Sequence, residues 1–89
     1  LNVIPIQLPA LRERKTDIPL LLNHFMGLHN KNKSRVLTGF SEDSLKCLMN
    51  YSWPGNIREL ENLIERLSIL KGFGQVEVND LPPKYRSTV

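Results

Sequence analysis

The sequence is poor in the features that carry chemistry of their own. It holds one cysteine, Cys47, among 89 residues, so no disulfide can form within the chain. No apolar run approaches the ~20 residues that cross a bilayer as a helix. The opening LNVIPIQLPALRERK places its charges after its apolar part and shows no small-residue cleavage site, which is not the order of a secretory leader. The lone cysteine and the lack of a leader lead us to expect a reducing, intracellular setting. Metal ligands are sparse as well. His24 and His29 are five positions apart, off a common helix face, and Cys47 stands alone, whereas zinc ligands come in tighter pairs. There is no Gly-x-Ser-x-Gly turn and no G-x-x-x-x-G-K-[ST] phosphate cradle. We therefore expect no catalytic residue and no metal site in this chain, which taken alone is no enzyme.

What is present fits one small domain. Hydrophobic residues make up 40% and charged residues 24% of the chain, as in ordinary globular proteins. Twelve Lys and Arg against nine Asp and Glu give a net charge of +3, an excess that permits nucleic-acid binding without demanding it. The chain opens on Leu1 and at once on an apolar stretch, which reads as a piece of a longer protein.

Val3, Ile4 and Ile6 form a β-prone run broken by Pro5, suited to an edge strand or extended connector. A charge cluster, Arg12-Glu13-Arg14-Lys15, follows. A first helix is expected from Thr16 or Asp17, either of which suits an N-cap, with Pro19 tolerated in the first turn. Ile18, Leu21, Leu22, Phe25, Met26 and His29 share one face, and the helix should end near Asn30. Residues 30–36 read as a loop. Ser41 is the natural N-cap of a second helix, with Phe40 and Leu45 spaced as a hydrophobic staple, Glu42 and Asp43 at its positive end, and Leu45, Leu48 and Met49 facing inward. Cys47 fits there as a small hydrophobe.

The third helix is the most sharply specified. Trp53-Pro54-Gly55 is a turn; Asn56 with Glu59 three residues on matches an N-x-x-E capping box. Ile57, Leu60, Leu63, Ile64, Leu67 and Leu70 make the apolar stripe, and Gly72 suits the left-handed position after the helix. Gln75–Val78 could be one short strand, and Asn79–Pro83 a turn. The fold class expected is all-α, a three-helix bundle preceded by an extended segment, with Trp53, Phe40, Phe25 and Tyr51 closing the core. Residues 84–89 are expected to fray.

Helices two and three could mimic a helix-turn-helix, but the exposed face of the third carries Glu59, Glu61 and Glu65 beside Arg58, Asn62 and Arg66, and carboxylates oppose a phosphate backbone. A helical protein-interaction module is the other alternative, signalled by an exposed apolar patch. Arg58 stands apart: it follows Asn56 by two residues, where free amides and the helix dipole favour an anion and a forked guanidinium suits phosphate. Its local alternative is an i, i+3 pair with Glu61.

WPGNIRELENLIERLSIL closely resembles the third lid helix of the AAA+ domain of NtrC-class activators of sigma-54 RNA polymerase. LNVIPIQLPALRERKTDIPLLLNHF resembles the segment that leaves the α/β ATPase core of that family and enters its lid, and DLPPKY resembles the exit from the lid. The resemblance spans residues 1–83. It implies a hinge over Leu8–Arg14 within an extended segment 1–15, a lid over 16–83, and a frayed tail over 84–89. It makes Arg58 the sensor II residue, directed at ATP phosphates in the core, with Leu11, Arg12, Ile18, Pro19, Asn56 and Ile57 as further nucleotide-binding positions. Arg12 and Arg14 either touch nucleotide or form salt bridges across the hinge. Ala10 stands where the family often has a second proline. The implied cofactors are ATP or ADP with Mg2+ in the intact protein, an ATPase, with none held tightly by this chain alone. The implied partners are the AAA+ core of the same chain, neighbouring protomers in a ring, sigma-54 RNA polymerase and enhancer DNA, with no membrane. The Walker motifs, arginine fingers and GAFTGA loop would precede Leu1, and a Fis-type helix-turn-helix would follow Val89, in a bacterial, cytoplasmic transcription regulator of the two-component type.

Overall fold

A computed structural model describes residues 14–86. Of the extended segment expected over 1–15 and its hinge over Leu8–Arg14, residues 1–13, with Leu11 and Arg12, lie outside the described residues, as do 87–89. Among the described residues three α-helices are present: α1 (Ile18–Asn30), α2 (Glu42–Asn50) and α3 (Asn56–Leu70). To these the structure adds a parallel pair of short strands, β1 (Leu37–Phe40) and β2 (Gly74–Val76). Leu37 pairs with Gly74, Gly39 with Gln75 and Phe40 with Val76, with a bulge between Leu37 and Gly39.

Helix α1 buries Ile18 and Leu22 completely and packs Leu21, Phe25 and Met26 on the core from its flanks. Its start departs from expectation. A 3-10 turn over Lys15–Asp17 precedes it, and neither Thr16 nor Asp17 caps it with a side chain. The Asp17 carboxylate is taken up by the Arg14 guanidinium at 2.7 Å. At the other end, the Asn30 amide acts as a substitute strand. Its Nδ2 donates to the Leu37 carbonyl at 2.8 Å and its Oδ1 accepts from the Leu37 amide at 3.0 Å, which docks the start of β1 against the end of α1.

Helix α2 opens on Ser41 as expected: its Oγ accepts from the Ser44 amide at 3.1 Å. The fully buried Ser44 hydroxyl shares its single hydrogen between the Ser41 carbonyl at 2.9 Å and the Val76 carbonyl at 3.0 Å, and the Ser41 amide also donates to the Val76 carbonyl at 2.9 Å. The cap of α2 is thus tied to β2. Cys47 and Leu48 are buried, Cys47 filling the role of a small hydrophobe. Loss of an N-cap side chain costs about 1 kcal/mol. Ser41→Ala should therefore lower the urea midpoint by the equivalent of about 1 kcal/mol with an unchanged slope; an unaltered midpoint would show that the Ser41–Val76 backbone bond suffices to hold the helix end.

Helix α3 packs along α1 and contributes Leu60, Leu63, Ile64 and Leu67 to the core, with Ile57 half-buried. The apolar stripe stops there. Leu70 is 71% exposed, against the expectation that it is buried, because α3 runs a turn beyond the packed face. Gly72, at φ +82, then reverses the chain, its amide reaching back to the Leu67 carbonyl at 3.2 Å. Beyond β2, 3-10 turns over Val78–Asp80 and Pro83–Tyr85 bring Leu81 and Tyr85 into the core. Lys84–Arg86 are accordingly not frayed: Tyr85 is 4% exposed and the Arg86 guanidinium donates to the Leu81 and Asn79 carbonyls at 2.7 and 3.0 Å.

Candidate functional site

The connection from α2 to α3 is a tight turn over residues 51–55 built around Trp53. Its ring is buried, its Nε1 donates to the Leu48 carbonyl at the end of α2 at 2.8 Å, and it lies edge-on to Tyr51 with centroids 5.0 Å apart. Tyr85, from the C-terminal 3-10 turn, closes the cluster at 4.7 Å from Tyr51 and 5.5 Å from Trp53. Such ring pairs add about 0.5–1.5 kcal/mol beyond the area they bury. Within this anchored turn Trp53 is held at φ +54, left-handed backbone that a bulky side chain adopts only when its surroundings impose it, and Asn56 follows at φ +55, a conformation that asparagine tolerates.

The cap of α3 differs from the capping box expected at Asn56. The cap position is Gly55, and the Asn56 side chain makes no capping bond; its Oδ1 is buried without a hydrogen-bond partner. The left-handed backbone at Asn56 carries its side chain away from the open amides. Glu59 does reach back, but one residue further, its Oε1 accepting from the Gly55 amide at 2.8 Å. Gly55 itself has φ −85, so its freedom is not what the turn needs; a Cβ there would lie 2.7 Å from the Glu59 Cβ.

Glu59 is the centre of the site. Its Oε2 accepts from the Tyr51 hydroxyl at 2.7 Å and from the Tyr85 hydroxyl at 2.8 Å, with the Lys84 ammonium 3.3 Å away. Burial alone would raise its pKa, but the bonds from Tyr51, Gly55, Tyr85 and Lys84 outweigh it and hold the carboxyl below its ordinary value. The tyrosines respond in the opposite sense. Burial, then the bond to Glu59 and its charge, push Tyr51 up to about 12, and the same causes raise Tyr85 further.

Arg58 lies in the first turn of α3 beside this centre. It is exposed, and among the described residues it forms no ion pair; the local alternative, an i, i+3 bridge to Glu61, is not made. Of the other expected site residues, Asn56 and Ile57 share the first turn of α3 with Arg58, half-buried. Ile18 and Pro19 open α1. Ile18 is a core residue with no exposed surface, so its side chain is not available to a ligand in this arrangement, whereas Pro19 is half-buried and borders a recess with Leu22, Asn23, Phe40 and Leu45. Sequence reasoning gave Glu59 a capping role and a place on the exposed face of α3; its side chain is in fact only 12% exposed, drawn in by its hydrogen bonds to Tyr51 and Tyr85. That reasoning missed Tyr51, Tyr85 and Lys84 as its partners, since nothing local links residues that far apart in the chain.

Three helices and a strand pair carry Arg58 exposed on a tight turn, without an ion pair among the described residues, as is also true of Arg66 further along α3. The chain belongs to the AAA+ ATPase lid domain family, whose pattern matches residues 12–89. It is 44% identical over 87 residues to the phenol regulator MopR of Acinetobacter guillouiae, covering 97% of this chain and 16% of that protein. It is 52% identical over 81 residues to the alginate biosynthesis transcriptional regulatory protein AlgB of Pseudomonas syringae pv. tomato, covering 91% of this chain and 18% of the relative. Crystal structures of NtrX from Brucella abortus superpose on it, the ADP complex with TM-score 0.80 at 34% identity over 98% of this chain and 21% of that one, the ATP complex with TM-score 0.78 at 36% identity over 94% and 21%. The chain thus spans about a fifth or less of the relatives it matches, two of which are regulators by name. No helix among the described residues is long and apolar enough to cross a membrane.

Proposed function

We propose that this chain is the lid of a sigma-54-dependent activator, joined through residues 1–15 to an ATPase core, and that Arg58 is its nucleotide-sensing arginine. The observation that carries this reading is the state of Arg58: exposed, without a carboxylate partner among the described residues, on a turn fixed from both sides. A permanent cation left unpaired on rigid backbone is suited to an anion supplied from outside the subdomain. ATP with Mg2+, bound by the core, would supply that anion and the bond to be hydrolysed. Arg58 and the first-turn amides of α3 favour phosphate charge there, and the buried Ile18 steadies the start of α1 while Pro19 lies closer to solvent. Leu11 and Arg12 are assigned to the hinge, on the side of the nucleotide. A lid whose arginine contacts ATP and ADP differently shifts its closure with nucleotide state. In the intact regulator, a ring of such subunits would use that movement on sigma-54 RNA polymerase at enhancer-bound promoters.

Hydrogen bonds to charged groups contribute about 1.5–3 kcal/mol. In the intact protein Arg58→Ala should therefore lower ATP hydrolysis by about 10- to 100-fold while far-UV circular dichroism and the melting temperature stay unchanged. Hydrolysis at the wild-type rate would remove Arg58 from the nucleotide and leave the lid as a passive interaction module.

A further inference from the structure

Arg58 is bracketed by a single carboxylate. Glu59 follows it directly, and the other oxygen of the same side chain holds the amide of Gly55, three residues before it. The contact is close enough that any Cβ at Gly55 would meet the Glu59 Cβ at 2.7 Å, so the bracket depends on glycine. The first oxygen is gripped by Tyr51 from the end of α2 and by Tyr85 from the far end of the fold, at 2.7 and 2.8 Å. Glu59 has only 12% of its side chain exposed, and Tyr85 is 4% exposed, so these bonds are shielded from competing water.

We propose that Glu59 is a positioning residue for Arg58, and that Tyr85 links the direction of Arg58 to the segment through which the chain leaves the lid. This inference rests on the nucleotide-sensing role of Arg58. The 3-10 turn Pro83–Tyr85 has its own hold on the core through the Tyr85 ring. A shift of that turn moves the Tyr85 hydroxyl, and with it the carboxylate that fixes residues 55 and 59. A displacement of the exit segment therefore reaches Arg58 through the hydrogen bond from Tyr85 to Glu59.

The test is a double-mutant cycle on ATP hydrolysis by the intact protein. Glu59→Ala and Tyr85→Phe are each measured with Arg58 present and in an Arg58→Ala background, with melting curves for every variant. With Arg58 present, Glu59→Ala should lower kcat about tenfold and Tyr85→Phe about threefold, within the range over which contacting residues couple. In the Arg58→Ala background neither should lower it further. Effects of full size in that background would overturn the proposal, because they would act by another route. A Glu59→Ala effect with no Tyr85→Phe effect would remove the link to the exit segment. If Glu59→Ala fails to fold, Tyr85→Phe decides alone, since it keeps the buried ring and removes only the hydroxyl. Unchanged hydrolysis in Arg58→Ala alone is a separate outcome: it would remove the sensing role itself, and this proposal with it.

Discussion

Trp53→Ala should abolish most of the stability of the fold. Removing a buried large aromatic costs about 3–5 kcal/mol, and a domain of this size has only about 5–10 kcal/mol in hand. Three effects add in the same direction. The ring, 1% exposed, leaves a cavity between Tyr51 and Tyr85. The Leu48 carbonyl loses the indole donor at 2.8 Å. The left-handed backbone at φ +54 loses the packing that imposes it. Urea unfolding followed by circular dichroism measures the loss directly. Trp53→Phe separates the contributions: it keeps most of the ring area but drops the donor, so its cost should fall to about 1–3 kcal/mol, that of one buried unsatisfied group. Equal losses in the two variants would mean that the hydrogen bond, and not the packing, anchors the turn.

The second large effect is alkaline. Tyr51 has its pKa raised from 10.0 to about 12, by burial first and then by Glu59, and Tyr85 is raised in the same direction. A phenol that resists ionisation in the folded state favours folding fully below its unfolded pKa, and that contribution is lost as pH rises through the folded value. The fold should therefore lose stability through Tyr51 as pH climbs from 10 to about 12. The double variant Tyr51→Phe/Tyr85→Phe should be less stable at neutral pH yet show a shallower decline across that window. At the acid end the sign reverses. Glu59 is held below its ordinary 4.5, so its contribution is present above that value and disappears as pH falls beneath it. A steep alkaline decline that survives in the double variant would place the titrating groups elsewhere.

Periodicity made the helices legible, because apolar residues at 3.6-residue spacing leave few other ways to bury them. Ser41 was legible as a cap and Trp53 as an anchor for the same local reason: each acts within a few residues of itself. The strand pair was not, on the β1 side. Leu37-Thr38-Gly39-Phe40 carries a glycine and too few β-branched residues to read as a strand, and it forms one only because Gly74–Val76 and the Asn30 amide supply its partners. Asn56 matched a capping pattern, but its left-handed backbone turned the side chain away and passed the role to Glu59 and Gly55. Arg58 could be singled out from its motif alone. Of the hydrogen-bond network beside it, Glu59 sits in the same motif, whereas Tyr85 is brought to it only by the tertiary fold.

The parallel pairing of β1 with β2 also fixes when this chain can fold. Parallel strands cannot be joined by a tight hairpin, and here all of α2 and α3 lie between the two partners. Contacts so distant in sequence close late and slowly. During synthesis, α1, α2 and α3 leave the ribosome ahead of the strand that ties the cap of α2 down. Until Val76 is out, Leu60, Ile64 and Leu67 have helices to sit on but no completed core to enter, and a chain interrupted before that point presents an apolar face to chaperones and proteases.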